Sequence, residues 1–192
     1  KQVGPGQEKT VDEGVKTAMQ TSYRSSRILL PVRPWFIFAT MFLAMLLNLL
    51  PTAALPAFPD WVALVLVFWS IREPRRIGMG SAFLFGLAMD VADASLLGQH
   101  AFAYVLVAYG ASSVSRRILW FPLGLQALQI FPLLLLVQVI QYGLRMVMVG
   151  GDFPGLSYFL GPFFATMLWP VLTFLLLLPQ HQPVDHDDNR PI

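Results

Sequence analysis

Gly78, Ala82, Gly86 and Asp90 recur every fourth residue, which puts three small side chains and one carboxylate on a single face of a helix. Small residues at this spacing let a second helix approach closely, and in lipid such packing, with interhelical hydrogen bonds, holds helices together. The four residues are therefore the expected partner or helix-packing face. Asp93 follows one turn later, and Gln138, Gln141 and Arg145 share a face of a later segment. Asp93, Gln138, Gln141 and Arg145 make a candidate polar network, with Arg145 expected to pair with Asp90, Asp93 or Asp152. Three readings of Asp90 stand: a helix-end carboxylate accepting bonds from nearby backbone, a partner-dependent packing or conformational role, and, least favoured, a proton relay or catalytic group. For Arg145 the rival to an ion pair is snorkelling to lipid phosphate.

Chemistry beyond packing finds little support. The chain has no cysteine, which removes thiolate metal sites, disulfides and cysteine nucleophiles. His100 stands alone and reads as a hydrogen-bonding residue at the start of a helix. No Ser/His/Asp constellation is visible, and Gly78-x-Gly80 precedes an apolar helix rather than following a strand, so it is no nucleotide loop. No catalytic residue, metal ligand or cofactor is expected, and the net charge of +2 gives no reason to expect nucleic acid. Near the end, His181, Asp185, His186, Asp187 and Asp188 are read as a solvated terminus rather than a metal site.

The elements that must position these residues are apolar. Of 192 residues, 56% are hydrophobic and 12% charged, too little polar surface for an ordinary soluble domain. Six apolar segments are expected at about 34–54, 56–72, 76–93, 98–114, 119–145 and 155–178, against the roughly 20 helical residues that a bilayer core needs. Every Lys and Arg except Arg145 falls on one side of this zigzag: the N-terminal stretch, Arg72 with Arg75 and Arg76, Arg116 with Arg117, and Arg190. Basic short loops stay cytoplasmic, so both termini are placed there. The second and third segments are short, which raises a re-entrant hairpin as a rival. Arginines at its tip would each cost about 2.5–3.5 kcal/mol at the membrane centre, so two short spans are preferred. Pro132, Pro162 and Pro170 should kink the last two segments. Trp69 and Trp169 are expected to pack inside, and Trp35, Trp61 and Trp120 to anchor at interfaces. The reading is an all-α integral membrane protein of the bacterial inner membrane. It has a six-helix transmembrane bundle over 34–179, a largely disordered cytoplasmic segment over 1–33 and a cytoplasmic tail over 180–192.

The run from Pro59 to Tyr109 resembles the rod shape-determining MreD family. It carries Pro59-Asp60-Trp61, Phe68-Trp69-Ser70-Ile71-Arg72, Arg76-Ile77-Gly78-Met79-Gly80 and Phe83-Leu84-Phe85-Gly86-Leu87-Ala88-Met89-Asp90. Leu96-Leu97-Gly98-Gln99-His100-Ala101 and Ala103-Tyr104 complete it. The resemblance implies a non-enzymatic component of the bacterial elongation complex that binds MreC. Through MreC it would couple the cytoskeletal MreB to peptidoglycan synthesis by a RodA-type glycosyltransferase and a class B penicillin-binding transpeptidase. It also implies a fold resembling the substrate-binding subunits of energy-coupling-factor transporters. Membrane lipid and a second copy of the chain (a homodimer) are further candidate partners. The alternative is a small-molecule-binding membrane subunit of a vitamin transporter, which would need a cavity lined by groups such as Gln138, Gln141, Arg145 and Asp90.

Overall fold

The computed structural model describes residues 32–50, 58–150 and 155–180. Regular structure among them is helical throughout: α1 (Pro34–Asn48), α2 (Trp61–Arg72), α3 (Met79–Ala92), α4 (Gln99–Leu119), α5 (Leu123–Val149) and α6 (Leu160–Leu177). A short 3-10 turn, Leu156–Phe159, leads into α6, and another, Leu178–Gln180, follows it. Arg33–Leu175 forms one compact unit, while Val32 and the residues from Leu176 fall in a second. In that second unit the Gln180 side chain donates to the Leu176 carbonyl at 3.1 Å. The expected disorder of 1–31, the tail histidines and aspartates, Pro51, Pro56 and Asp152 all lie outside the described residues.

The sequence of α2 is apolar on every side, and a helix of that kind must be enclosed. Every residue from Val62 to Ile71 is buried. Neighbours α1, α4 and α5 supply the walls. From α1, Thr40 accepts a 2.9 Å hydrogen bond from the Trp69 indole N–H, and Phe36 meets the same ring edge-on. Trp169 of α6 also reaches this core, 5.8 Å from the Phe68 ring. Both Trp69 and Trp169 are buried, as the sequence leads one to expect. The helix stops at Arg72, whose guanidinium lies over the Phe68 ring. Glu73 is next, and the proline at 74 biases it away from helical geometry.

Helices α3 and α4 share the most extensive helix–helix contact among the described residues. Gly86 is the reason: a Cβ built there would lie 2.4 Å from the Ala101 Cα and 2.6 Å from its nitrogen. No side chain fits in that space. Ala82, Gly86 and Asp90 are buried, whereas Gly78 is exposed at the N-cap of α3. At Gly86 and Asp90 this face meets the start of α4.

Several boundaries shift from those expected. Helix α1 ends at Asn48, because the Asn48 side chain turns to Asp60 and to the backbone N–H of Trp61. Helix α4 runs on to Leu119, so Arg116 and Arg117 sit in its last turn rather than in a loop. There their charge complements the negative end of the helix dipole. Pro122 caps α5 and moves its start to Leu123. Pro132 and Pro170 do lie inside helices, but Pro162 is the third residue of α6. A first-turn proline gives up no helical bond, so no kink is needed there.

Two stretches, Leu123–Val149 and Leu156–Gln180, are long and apolar enough to cross a membrane. Only 22% and 33% of their most apolar windows is buried, so these are not the core helices of a soluble protein. Phe163, Met167, Val171 and Phe174 of α6 all point outward, a display that water tolerates poorly. Helices α2 and α3, with 12 and 14 residues, rise only about 18 and 21 Å.

Gly86→Ala is expected to destabilise the folded protein by about 1–3 kcal/mol through overpacking. Gly80→Ala, where nothing lies within 4 Å of the new methyl, should be neutral or stabilising by up to about 1 kcal/mol. Thermal unfolding of the two variants side by side in detergent checks the contrast.

Candidate functional site

The most polar region of the bundle is a pair of carboxylate clusters beside α4. The first is built on Asp60, the N-cap of α2. Its Oδ1 accepts from the Ala63 N–H at 2.9 Å, which satisfies one of the free donors at the start of a helix. Asn48 Nδ2, at the end of α1, donates to the same oxygen at 3.0 Å. Tyr104, wholly buried on α4, brings its hydroxyl within 2.9 and 2.8 Å of Oδ1 and Oδ2. One carboxylate therefore ties three helices together.

The second cluster is built on Asp90. Its Oδ2 accepts from the Gly98 N–H at 2.8 Å and from that of Ala101 at 3.4 Å, and its Oδ1 from the His100 N–H at 2.7 Å. These are first-turn donors of α4, and an anion is favoured there by both hydrogen bonding and the helix dipole. The His100 ring adds Nδ1 at 2.9 Å, and the Ser95 hydroxyl donates to Oδ1 at 3.1 Å. Gly98 makes the turn possible with φ +96°, a conformation that side chains disfavour. Before it, Ala94 takes the left-handed position at φ +49°. Ser95 N–H then reaches the Asp90 carbonyl at 3.0 Å and Ala94 N–H that of Val91, the pairing of a Schellman end.

Ser95, His100 and Asp90 do not form a nucleophilic relay. A relay uses both ring nitrogens of the histidine, one for the hydroxyl and one for the carboxylate. Here Ser95 Oγ and Asp90 Oδ1 both face Nδ1, at 3.3 and 2.9 Å. His100 Nε2 turns instead to Asp93, 3.8 Å away. The His100 ring also lies edge-on to Tyr104, one helical turn on, so the two carboxylate clusters adjoin.

The candidate network of Asp93, Gln138, Gln141 and Arg145 is divided in space. Asp93 caps α3 beside His100. Gln138 Nε2 donates to the Tyr158 carbonyl at 2.7 Å, and Gln141 is buried one turn further along α5. Arg145 is exposed and has no ion pair among the described residues. Asp90 is taken up by donors only eight to eleven positions away in the chain, not by Arg145. Sequence reading passed over Asp60 and Tyr104 except as parts of a motif. An aspartate directly before a wholly apolar run was a legible cap signal, but the 44-residue span to Tyr104 was not.

These carboxylates are spent on holding helices, and the longest helices are clothed in apolar side chains. The class this defines is a helical membrane protein. The chain matches the family described as rod shape-determining protein MreD over residues 26–178. A rod shape-determining protein MreD of Haemophilus influenzae is 31% identical over 123 residues, covering 62% of this chain and 72% of that protein. No solved structure matches. The chain belongs to the MreD family, and its role lies in determining rod shape.

Asp90→Ala should remove the acceptor for three backbone donors at once, at a cost of about 2–4 kcal/mol. Asp90→Asn, which keeps an acceptor oxygen, should lose less. Tyr104→Phe, which leaves Asp60 with its Asn48 and Ala63 bonds, should cost about 1–3 kcal/mol. Unfolding midpoints and membrane abundance of the three variants give the order, and Asp90→Ala ranking mildest would refute the lock.

Proposed function

We propose that this chain is a non-enzymatic, six-span component of the bacterial inner membrane that binds MreC within the elongation complex. It thereby helps couple MreB to peptidoglycan synthesis by the RodA-type glycosyltransferase and the class B penicillin-binding transpeptidase. Family membership across almost the whole helical region carries this reading. The distribution of charge supports the topology. Exposed Arg75 and Arg76 lie in the turn between α2 and α3, and Arg116 and Arg117 in the last turn of α4. Asp60, Asp93 and Arg145 belong to the opposite ends of their helices. With α1 to α6 crossing in alternation, the arginine-rich ends face the cytoplasm, as do both termini. The short helix α2 then crosses inside a jacket of other helices, while α3 packs on α4 and turns Phe83, Leu84 and Val91 outward.

In this arrangement Ala82, Gly86 and Asp90 act by fixing α4, and MreC meets a surface that α4 has set in place. Tagged full-length protein, purified from its native host under mild detergent, is expected to bring MreC with it. Gly86→Leu should lower that recovery more than Leu87→Ala does. Absence of MreC from the wild-type preparation at normal membrane abundance would sink the proposal, and equal recovery from the two variants would sink the role given to the stripe.

A further inference from the structure

The permanent cations among the described residues are all arginines, the lysines being Lys1, Lys9 and Lys16. Arg33, Arg72, Arg75, Arg76, Arg116 and Arg117 gather at one end of the bundle, and Arg145 lies at the other. The bond between Asp60 and Tyr104 sets the level. Helices α2 and α4 are in contact and run the same way from that bond, because the turns at 73–78 and 93–98 reverse the chain twice. Arg72 and Arg116 each come 12 residues later (72 − 60 and 116 − 104), about 18 Å at the rise of a helix. The turn after α2 and the last turn of α4 therefore bring their arginines to a common level. Glu73 is the one acid there among the described residues, and it lies 3.5 Å from Arg76. Arg72 is engaged over the Phe68 ring. Arg75, Arg116 and Arg117 are exposed and have no ion pair among the described residues.

Topology would be served by lysine as well as by arginine. A guanidinium differs in its planar fork of donors, which grips two phosphate oxygens at once. Trp120, three residues after Arg117, is 90% exposed, and such a ring settles among lipid headgroups. Because it follows the arginines, it holds them at phosphate depth rather than beyond it in water. Exposed Val114 of α4, with Leu125 and Leu128 of α5, leads back from the turn toward the membrane interior. We infer that this end of the bundle binds an anionic phospholipid. Its phosphate sits on Arg116 and Arg117, its acyl chains follow the exposed apolar side chains, and Arg75 adds charge from the neighbouring turn. An acidic protein segment would match the charge but not the apolar surface that flanks it. MreC takes no part, so failure of this inference and failure of that partnership are separable.

The test offers full-length protein in a non-ionic detergent equal amounts of phosphatidylglycerol and phosphatidylcholine with matched acyl chains. Native mass spectrometry counts the lipid retained after washing. Phosphatidylglycerol should be retained at least about fivefold over phosphatidylcholine. Arg116→Gln combined with Arg117→Gln should lower its retention about tenfold or more. Arg116→Lys combined with Arg117→Lys keeps the charge that orients the chain but removes the fork, and should lower retention about threefold. Arg75→Gln should also lower it about threefold, and decides if the double variants do not fold. Arg145→Gln should leave it unchanged. Equal retention of the two lipids by the wild type, as a surface for an acidic protein segment would give, would overturn the inference. So would displacement of the lipid by inorganic phosphate, the mark of a free-ion site, an equal loss from Arg145→Gln, or undiminished retention in any folded variant at 75, 116 and 117.

Discussion

A carboxylate seated on the first turn of a helix organises this bundle. Asp90 accepts the backbone donors of Gly98, His100 and Ala101, and in doing so it fixes where α4 begins and how it lies on α3. Asp90 is buried, so those donors lose their acceptor if the carboxylate leaves. Once α4 is set, Tyr104 falls opposite Asp60, and through that bond α1 and α2 are tied to the same helix. Gly86 is what makes the approach possible, since the lengths of the hydrogen bonds require backbone against backbone. Helix packing and polar chemistry here are one arrangement, and neither can be changed alone.

Much of this could be read from residue order, and the part that could not has a physical cause. The four-residue period of Gly78, Ala82, Gly86 and Asp90 declares a close-packed face. It does not say what sits on it, because a neighbour in the same chain and a partner make the same demand. The pairing of Arg145 with Asp90 overlooked how near a helix start can be in sequence. A turn of a few residues delivered backbone donors to Asp90 and a histidine beside them, leaving no site for a distant guanidinium. Arg116 and Arg117 looked like a loop because charge interrupts the apolar pattern, yet helix and membrane limits need not coincide. The prolines were informative once position within the helix was considered, as Pro162 shows.

The glutamines illustrate a different limit. Gln138 and Gln141 were legible as polar residues at similar depth on one face of α5. Whether their amides would be satisfied depends on Tyr158, Gly161 and Asp60, which come from segments remote in sequence. Separation of the structure into a well-satisfied side around α4 and an unsatisfied junction of α2, α5 and α6 therefore appears only in three dimensions. The first side is closed by its own hydrogen bonds; the second leaves buried donors and acceptors unpaired.

The enclosure of α2 bears on how the protein is made. Its walls include α4 and α5, which leave the ribosome after it. During synthesis the Phe68 and Trp69 side chains therefore lack these walls until residues beyond 120 have emerged. Closure of the bundle around α2 is consequently a late, collective event rather than a helix-by-helix one, and a nascent chain halted after α3 leaves its own centre uncovered.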